Sequence, residues 1–187
     1  RDHLAVLRSV FDTGAVNYQG THLGAAPQWP VSLAGGTPIP IFVAAMGEKA
    51  LTAAGELADG TLPYLAGPRT IAEFIAPTIT RAAAQAGRPA PRIIAVVPVL
   101  VADDGDAARD EVAAELSFYQ TIPSYQRIIA RENVSGSVEL AAVGSADVVT
   151  RQLRRYADAG ATDVVLTPIG RTDSAALAAL RKVAASF

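Results

Sequence analysis

The sequence predicts an α/β fold with a mainly parallel sheet, and three observations carry that expectation. Apolar, β-branched runs at Ile39–Ala45, Thr61–Leu65, Arg92–Ala102 and Asp163–Thr167 are each followed by a helical pattern. The longest of them, RIIAVVPVLVA at 92–102, is almost continuously apolar, as expected of a parallel strand buried on both faces by helices. The stretch PIPIFVAAMGEKALTAAGELADGTLPYL at 38–65 reads as strand, glycine-bearing turn, helix and second strand, a right-handed crossover unit. An open doubly wound sheet and a segment of a (β/α)8 barrel both satisfy this alternation. A complete barrel usually takes about 250 residues.

The elements follow in order. Leu4, Leu7, Val10 and Phe11 recur at helical spacing over Arg1–Phe11, with Gly14 beyond the end. Val16–Gly36, rich in Gly and Pro, is expected to be irregular, and Gly35-Gly36-Thr37 to be a plain turn. The strand at Ile39–Ala45 leads to a helix at Glu48–Leu57. Pro68 opens a further helix that Pro77 should kink or restart, because proline lacks the N–H a helix interior needs. After the strand at 92–102 come helices over Ala107–Phe118 and Thr121–Val134, with Gly136 and Gly144 as breaks. Ser145 is placed to cap an amphipathic helix ending at Ala159. Its inward face is Val148, Val149, Leu153 and Tyr156, its outward face Arg151, Arg154 and Arg155, and Gly160 follows as the residue past its end. A last helix spans Thr172–Ala185. Residues 1–187 are expected to form a single α/β domain.

Composition narrows the function classes. Hydrophobic residues make up 50% and charged residues 18%, which describes a globular chain with a rich apolar interior. A net charge of −2 without long charged blocks gives no electrostatic footprint for nucleic acid or an anionic membrane surface. No apolar run approaches the roughly 20 residues that cross a bilayer. The absence of cysteine removes disulfides, thiolate nucleophiles and thiolate metal sites, and fits a cytoplasmic location. The chain opens on Arg1 and reads as though cut from something longer. The signatures GxGxxG after a strand, GxxxxGK[ST], GxSxG and HExxH are all missing.

Four segments together resemble the luciferase-like monooxygenase superfamily, and most closely its branch using the deazaflavin coenzyme F420. They are RSVFDTGAVNYQGTHL (8–23), PIPIFVAAMGEKALTAAGELADG (38–60), RIIAVVPVLVADDGDAARDEVA (92–113) and GSADVVTRQLRRYADAGATDVVLTP (144–168). The resemblance implies a (β/α)8 TIM-barrel fold of which this chain supplies the C-terminal half. The first strands, which usually hold the catalytic acid or base, would lie elsewhere, so the catalytic residues are unknown. A fragment is the expected status, with a companion N-terminal fragment or a homodimer covering the two open sheet edges, a recognised aggregation hazard. The implied activity is hydride transfer between F420 and a small organic substrate. FMN-dependent monooxygenation is the nearest variant, and a non-catalytic flavin-binding module the alternative from another class.

The turn at Ala44–Gly47 is the best candidate site. A helix start presents unpaired N–H groups and the positive end of the helix dipole, which suits a phosphate. The expected cofactor-binding residues are Ala45, Met46, Gly47, Lys49 and Tyr64. Lys49 is either a charge beside the phosphate or a solvated side chain, and Glu48 would oppose an anion. Asp59 and Gly60 read as a structural turn. Pro63 and Tyr64 close a strand on the face where barrel active sites lie. Phe118, Tyr119 and Tyr125 fall in a region that lines substrate in the family, although helix packing explains them equally well. His3 reads as surface and His22 as a loop residue, with no metal site. Asp103 and Asp104 read as loop and cap carboxylates rather than a catalytic dyad.

Overall fold

Each apolar run expected from the sequence enters one parallel sheet, in a computed structural model that describes residues 1–31, 39–171 and 173–187. Gly35-Gly36-Thr37, Pro38 and Thr172 lie outside the described residues. The chain begins with α1 (Asp2–Thr13). The region expected to be irregular contains an antiparallel ribbon, β1 (Tyr18–Gln19) with β2 (Gly24–Ala25). The Asp2 carboxylate pins this ribbon to α1, accepting from the Tyr18 hydroxyl at 3.0 Å and the His22 and Leu23 amides at 2.7 and 3.1 Å.

The sheet follows. β3 (Phe42–Val43) leads to α2 (Glu48–Leu57), and β4 (Gly60–Thr61) to α3 (Pro68–Thr70). Both strands are shorter than the apolar runs that mark them, because only two residues of each pair in register, with Tyr64 adding one isolated bridge to Val96. The α-helix restarts one residue before Pro77, as expected, with the proline in its first turn, where no N–H is needed. A π-helical turn at Ile71–Ile75 joins α3 to α4 (Ala76–Gln85), with the Ala76 amide bonding five residues back to the Ile71 carbonyl. The widened turn gives the proline ring room and absorbs its missing N–H.

β5 (Arg92–Val101) is the longest strand, followed by α5 (Gly105–Leu116), a 3-10 turn at Ser117–Thr121 and α6 (Pro123–Glu132). Gly144 does not simply break the chain. It ends a strand that the sequence reading missed, β6 (Ala142–Gly144), at φ 137°, a conformation that favours glycine. α7 (Ala146–Asp158), β7 (Asp163–Pro168) and α8 (Ser174–Ser186) finish the fold. Ser145 stands at the N-cap position of α7 but its hydroxyl makes no capping bond.

β5 is the common partner. Its first residues pair with β4, its last three with β6, and Ile94–Val99 with β7, all in parallel. Among the described residues β3 pairs only with β4, and β6 and β7 only with β5, so each of these three strands leaves one edge free. Burial on both faces, expected for all of β5, holds only for Val97–Leu100. Ile93, Ala95, Val97 and Val99 pack into a core with Leu51, Ile71, Ile75, Ile79, Leu153 and Val183 from the helices. On the other face Ile94 and Val96 are half-buried, and Val165 in mid-β7 is 46% exposed. Among the described residues that face is covered only at its C-terminal end, where Leu65, Leu100 and Val143 meet Ala108, Val112 and Leu116 of α5.

Asp59 ties the other end together. Its amide bonds to the Ile41 carbonyl (2.8 Å) and its carbonyl accepts from Arg92 (2.9 Å). Its carboxylate accepts from the Ile41 amide at 2.7 Å, Arg8 at 2.6 Å and Arg88 at 3.1 Å. Partial burial raises this carboxyl, but Arg8, the Ile41 amide and Arg88 outweigh it and hold the group below the ordinary carboxylate range. The structural role expected of Asp59 is what the structure displays. Replacing Asp59 with Ala should cost about 2 kcal/mol in urea unfolding, a modest sum because the ion pairs are part-exposed. With a depressed folded pKa, this stabilisation is present above the unfolded carboxyl value near 4 and is lost as pH falls through the folded value. The gap between wild type and D59N should therefore narrow in acid.

Candidate functional site

The strands are parallel, so their C-terminal ends share one face, where β3 turns into α2. In the β3–β4 register Val43 stands opposite Thr61, the last pair of that ladder; beyond it the first chain turns at Ala44–Ala45 towards α2, while the second runs on to Tyr64, which bridges Val96. Ala45 is fully buried in the helix-side core, and Met46 is half-buried against it. Gly47 is exposed at the N-cap of α2 with φ −122°, and a Cβ built there would meet nothing within 4 Å. The chain itself therefore does not require glycine at 47; what its absent side chain leaves is open space above the helix start. The first intrahelical bond runs from the Leu51 amide to the Gly47 carbonyl at 2.9 Å, so the Glu48, Lys49 and Ala50 amides precede it. Lys49 is exposed and has no ion-pair partner among the described residues, and Glu48 is also exposed.

Five helices follow a strand, and three have their N-terminal amides occupied by a side chain. Asp104 accepts from Ala107 at 3.2 Å on α5, in the capping role expected of it, and Asp173 accepts from Ala175 and Ala176 at 2.9 Å on α8. α3 is served from a distance: Glu132 of α6 accepts from the Arg69 amide (3.0 Å) and from the Thr70 amide and hydroxyl (both 2.8 Å). Among the described residues α2 and α7 have no such acceptor, although each carries a carboxylate, Glu48 or Asp147, in its first turn. The N-terminus of α2 thus combines free amides, open space and an uncommitted cation. These are the properties that fit a phosphate group.

Tyr64 stands at the same C-terminal mouth of the sheet, packed against the second apolar cluster rather than the one that holds Met46. The chain leaves it through Leu65, whose φ of 55° is unusual for leucine and drops the side chain into the second core. Tyr64, Tyr119 and Tyr125 pack edge to face, with centroids 4.9 to 6.4 Å apart. The aromatics foreseen in the segment after β5 therefore close on Tyr64, whereas Phe118 is 66% exposed and, among the described rings, pairs with Tyr119 alone. Burial, then the neighbouring Tyr119, pushes the Tyr64 phenol well above its ordinary value. It stays protonated near neutrality, a hydrogen-bond donor rather than a base.

Sequence reasoning missed three participants. Glu132 and Arg171 latch the segment between β5 and β6 onto the sheet, the latter through Glu111 at 3.1 Å. Thr61, fully buried under the β3–α2 turn, bonds to Val43 and Ala45. A polar, β-branched residue directly after Asp59-Gly60 was the available signal for Thr61; nothing local announces the other two. His3 and His22 line one open pocket of about 390 Å³ with Arg1, Asp2, Thr21 and Leu23, on the ribbon side of α1. Among the described residues no cluster of His, Asp and Glu could hold a metal ion, and no helix is long and apolar enough to cross a membrane.

Comparison with known proteins places this geometry. The family model described as luciferase-like monooxygenase matches residues 1–163. An uncharacterized protein of Mycobacterium tuberculosis H37Rv is 30% identical over 99 residues, covering 49% of this chain and 29% of that protein, and one from Mycobacterium bovis matches equally. An F420-dependent secondary alcohol dehydrogenase, solved with an F420-acetone adduct, superposes with TM-score 0.75 at 16% identity, over 96% of this chain and 58% of that one. The coenzyme F420 dependent tetrahydromethanopterin reductase of Methanopyrus kandleri gives 0.70 at 22%, over 94% and 58%. The oxygenating constituent of the 3,6-diketocamphane monooxygenase of Pseudomonas putida, solved with FMN, gives 0.65 at 16%, over 93% and 57%. The chain therefore spans under a third of the curated relatives and somewhat over half of the solved barrels, consistent with a partial luciferase-like TIM barrel.

Two outcomes follow for the glycines. Gly47→Ala should change stability by less than about 1 kcal/mol, since its backbone and surroundings accept a methyl group. A Cβ at Gly60 would lie 2.1 Å from the Arg92 carbonyl oxygen, so Gly60→Ala should cost about 3 kcal/mol by forcing β4 from β5. Urea unfolding of both variants checks the contrast. Spectrophotometric titration of wild type against Tyr64→Phe should place the Tyr64 ionisation above the ordinary phenol value near 10.

Proposed function

The chain belongs to the luciferase-like monooxygenase family, and from that premise we propose that it supplies the phosphate-binding side of a flavin-type oxidoreductase site. The cofactor we assign is F420, the reaction hydride transfer between it and a small organic substrate, with FMN-dependent monooxygenation as the variant. The observation that carries this reading is the N-terminus of α2, open and uncapped at the end of β3. Each residue has a part within it. The Glu48–Ala50 amides donate to the cofactor phosphate, Gly47 leaves the approach clear, and Lys49 adds a positive charge. Met46 and the buried Ala45 hold the turn against the core. Tyr64 closes the neighbouring strand end and donates its phenolic proton toward the ring or substrate. The bound deazaflavin or flavin supplies the hydride chemistry itself. The half-covered face of Ile94, Val96 and Val165 forms one wall against water, completed by a companion polypeptide segment of a barrel.

The dehydrogenase and reductase named above support F420, and the camphane enzyme supports FMN. The free sheet edges favour a second reading, a flavin-binding module that dimerises through them. Both readings are tested by fluorescence titration with oxidised and reduced F420 and with FMN, on this chain and on any longer polypeptide carrying it. Saturable binding, weakened about tenfold by Gly47→Leu and severalfold by Lys49→Ala with a shallower salt dependence, is the expected result. Absence of binding to either polypeptide would end the cofactor reading. A monomer by sedimentation at micromolar concentration would end the dimer reading.

A further inference from the structure

We propose that Thr61 is a positioning residue for the cofactor phosphate, acting through the β3–α2 turn; this rests on the phosphate reading of the α2 N-terminus. Thr61 has no exposed surface and lies on the strand beside that turn, three residues before Tyr64. Its hydroxyl donates to the Val43 carbonyl at 2.8 Å, with the Ala45 carbonyl at 3.3 Å as the alternative acceptor. Its oxygen accepts from the Ala45 amide at 3.3 Å. A hydroxyl has one proton and two lone pairs, so this single group addresses both peptide units where strand becomes turn. The turn is tight at that point: the Ala45 amide also reaches back two residues to the Val43 carbonyl at 2.7 Å. The orientation of peptides 43–45 sets the direction in which Met46 and Gly47 leave the sheet. That direction aims the free amides of α2.

Packing alone does not call for this hydroxyl. The Val43 carbonyl also accepts from the Leu62 amide at 3.1 Å, so β3 and β4 stay paired without Thr61. The side chain's volume is that of valine, which the helix-side core around it would accept. A hydroxyl kept in an apolar layer, its bonds spent entirely on one turn, orders that turn.

Thr61→Val keeps the shape and removes the hydroxyl; Thr61→Ser keeps the hydroxyl. Wild type and both variants are titrated with FMN and F420, and with riboflavin and the phosphate-free deazaflavin chromophore. Backbone amide hydrogen exchange is followed over residues 45–51 and over β5. In Thr61→Val we expect the Ala45 amide to exchange at least tenfold faster with β5 unchanged. We expect affinity for the two phosphate-bearing ligands to fall about five- to tenfold, the value of one hydrogen bond, with the phosphate-free ligands unaffected and Thr61→Ser close to wild type. Unchanged exchange at Ala45 overturns the proposal without reference to any cofactor. So does a loss that is absent, or equal for ligands with and without phosphate, while wild type still binds. If wild type binds none of the four ligands, the phosphate reading itself has failed and the role of Thr61 falls with it.

Discussion

The knot at Asp59 is the constraint on which the remaining geometry depends. One residue supplies an amide to the beginning of β3, a carbonyl to the beginning of β5 and a carboxylate to the Ile41 amide, with Arg8 of α1 and Arg88 before β5 closing around it. Three strands are thereby brought to a common starting line. Parallel strands have no hairpin to set their register, so the alignment must come from contacts such as these. Gly60 permits it, because the backbone of Arg92 occupies the place of its missing side chain. From that line, strand length alone decides where each chain end emerges on the opposite face. The opposition of Val43 and Thr61 beneath the α2 turn is a consequence of bonds made at the other end of the sheet.

Electrostatics then sorts the helix starts on that face. A carboxylate from Asp104, Glu132 or Asp173 bonds to the amides of three of them, while the first-turn carboxylates of α2 (Glu48) and α7 (Asp147) make no such bond among the described residues. Two of those carboxylates are local to their helices, and such caps are common. Glu132 is not local. It comes from the segment folded over the C-terminal ends of β4 and β5, and with the Tyr64–Tyr119–Tyr125 cluster and the Glu111–Arg171 pair it seats that segment. The mouth is therefore shaped on one side by aromatic packing and on the others by charge.

Much of the fold was legible from pattern. α2 runs from Glu48 to Leu57 as expected, because a glycine turn precedes it and Ala58-Asp59-Gly60 stops it. β5 and β7 stand where continuous apolar runs put them. β6 was not legible, since three residues cannot display a period and Gly144 looked like punctuation. Pro77 marked the restart of its helix, but the π-helical turn that precedes it, set by how the helix packs, was not foreseen. The apolar face of β5 suggested burial on both sides, but residue type reports which surface wants covering, not whether this chain covers it. At the candidate site, the glycine turn and Tyr64 could be read from spacing. Glu132 could not, since its Thr70 partner lies 62 residues away, and Thr61 offered only its residue type after Asp59-Gly60.

Gly67 and Glu132 illustrate what such long-range partners entail. A Cβ at Gly67 would fall 2.3 Å from the Glu132 carboxyl carbon, so the carboxylate reaches the α3 amides only because position 67 has no side chain. The two positions form a lock and its keyhole on different secondary structures. An alanine at 67 touches neither α2 nor the tyrosines, yet its methyl group would turn the flexible Glu132 side chain away and leave the Arg69 and Thr70 amides without their acceptor. A further bare helix start would then stand at this end of the sheet, made by a position that never faces it.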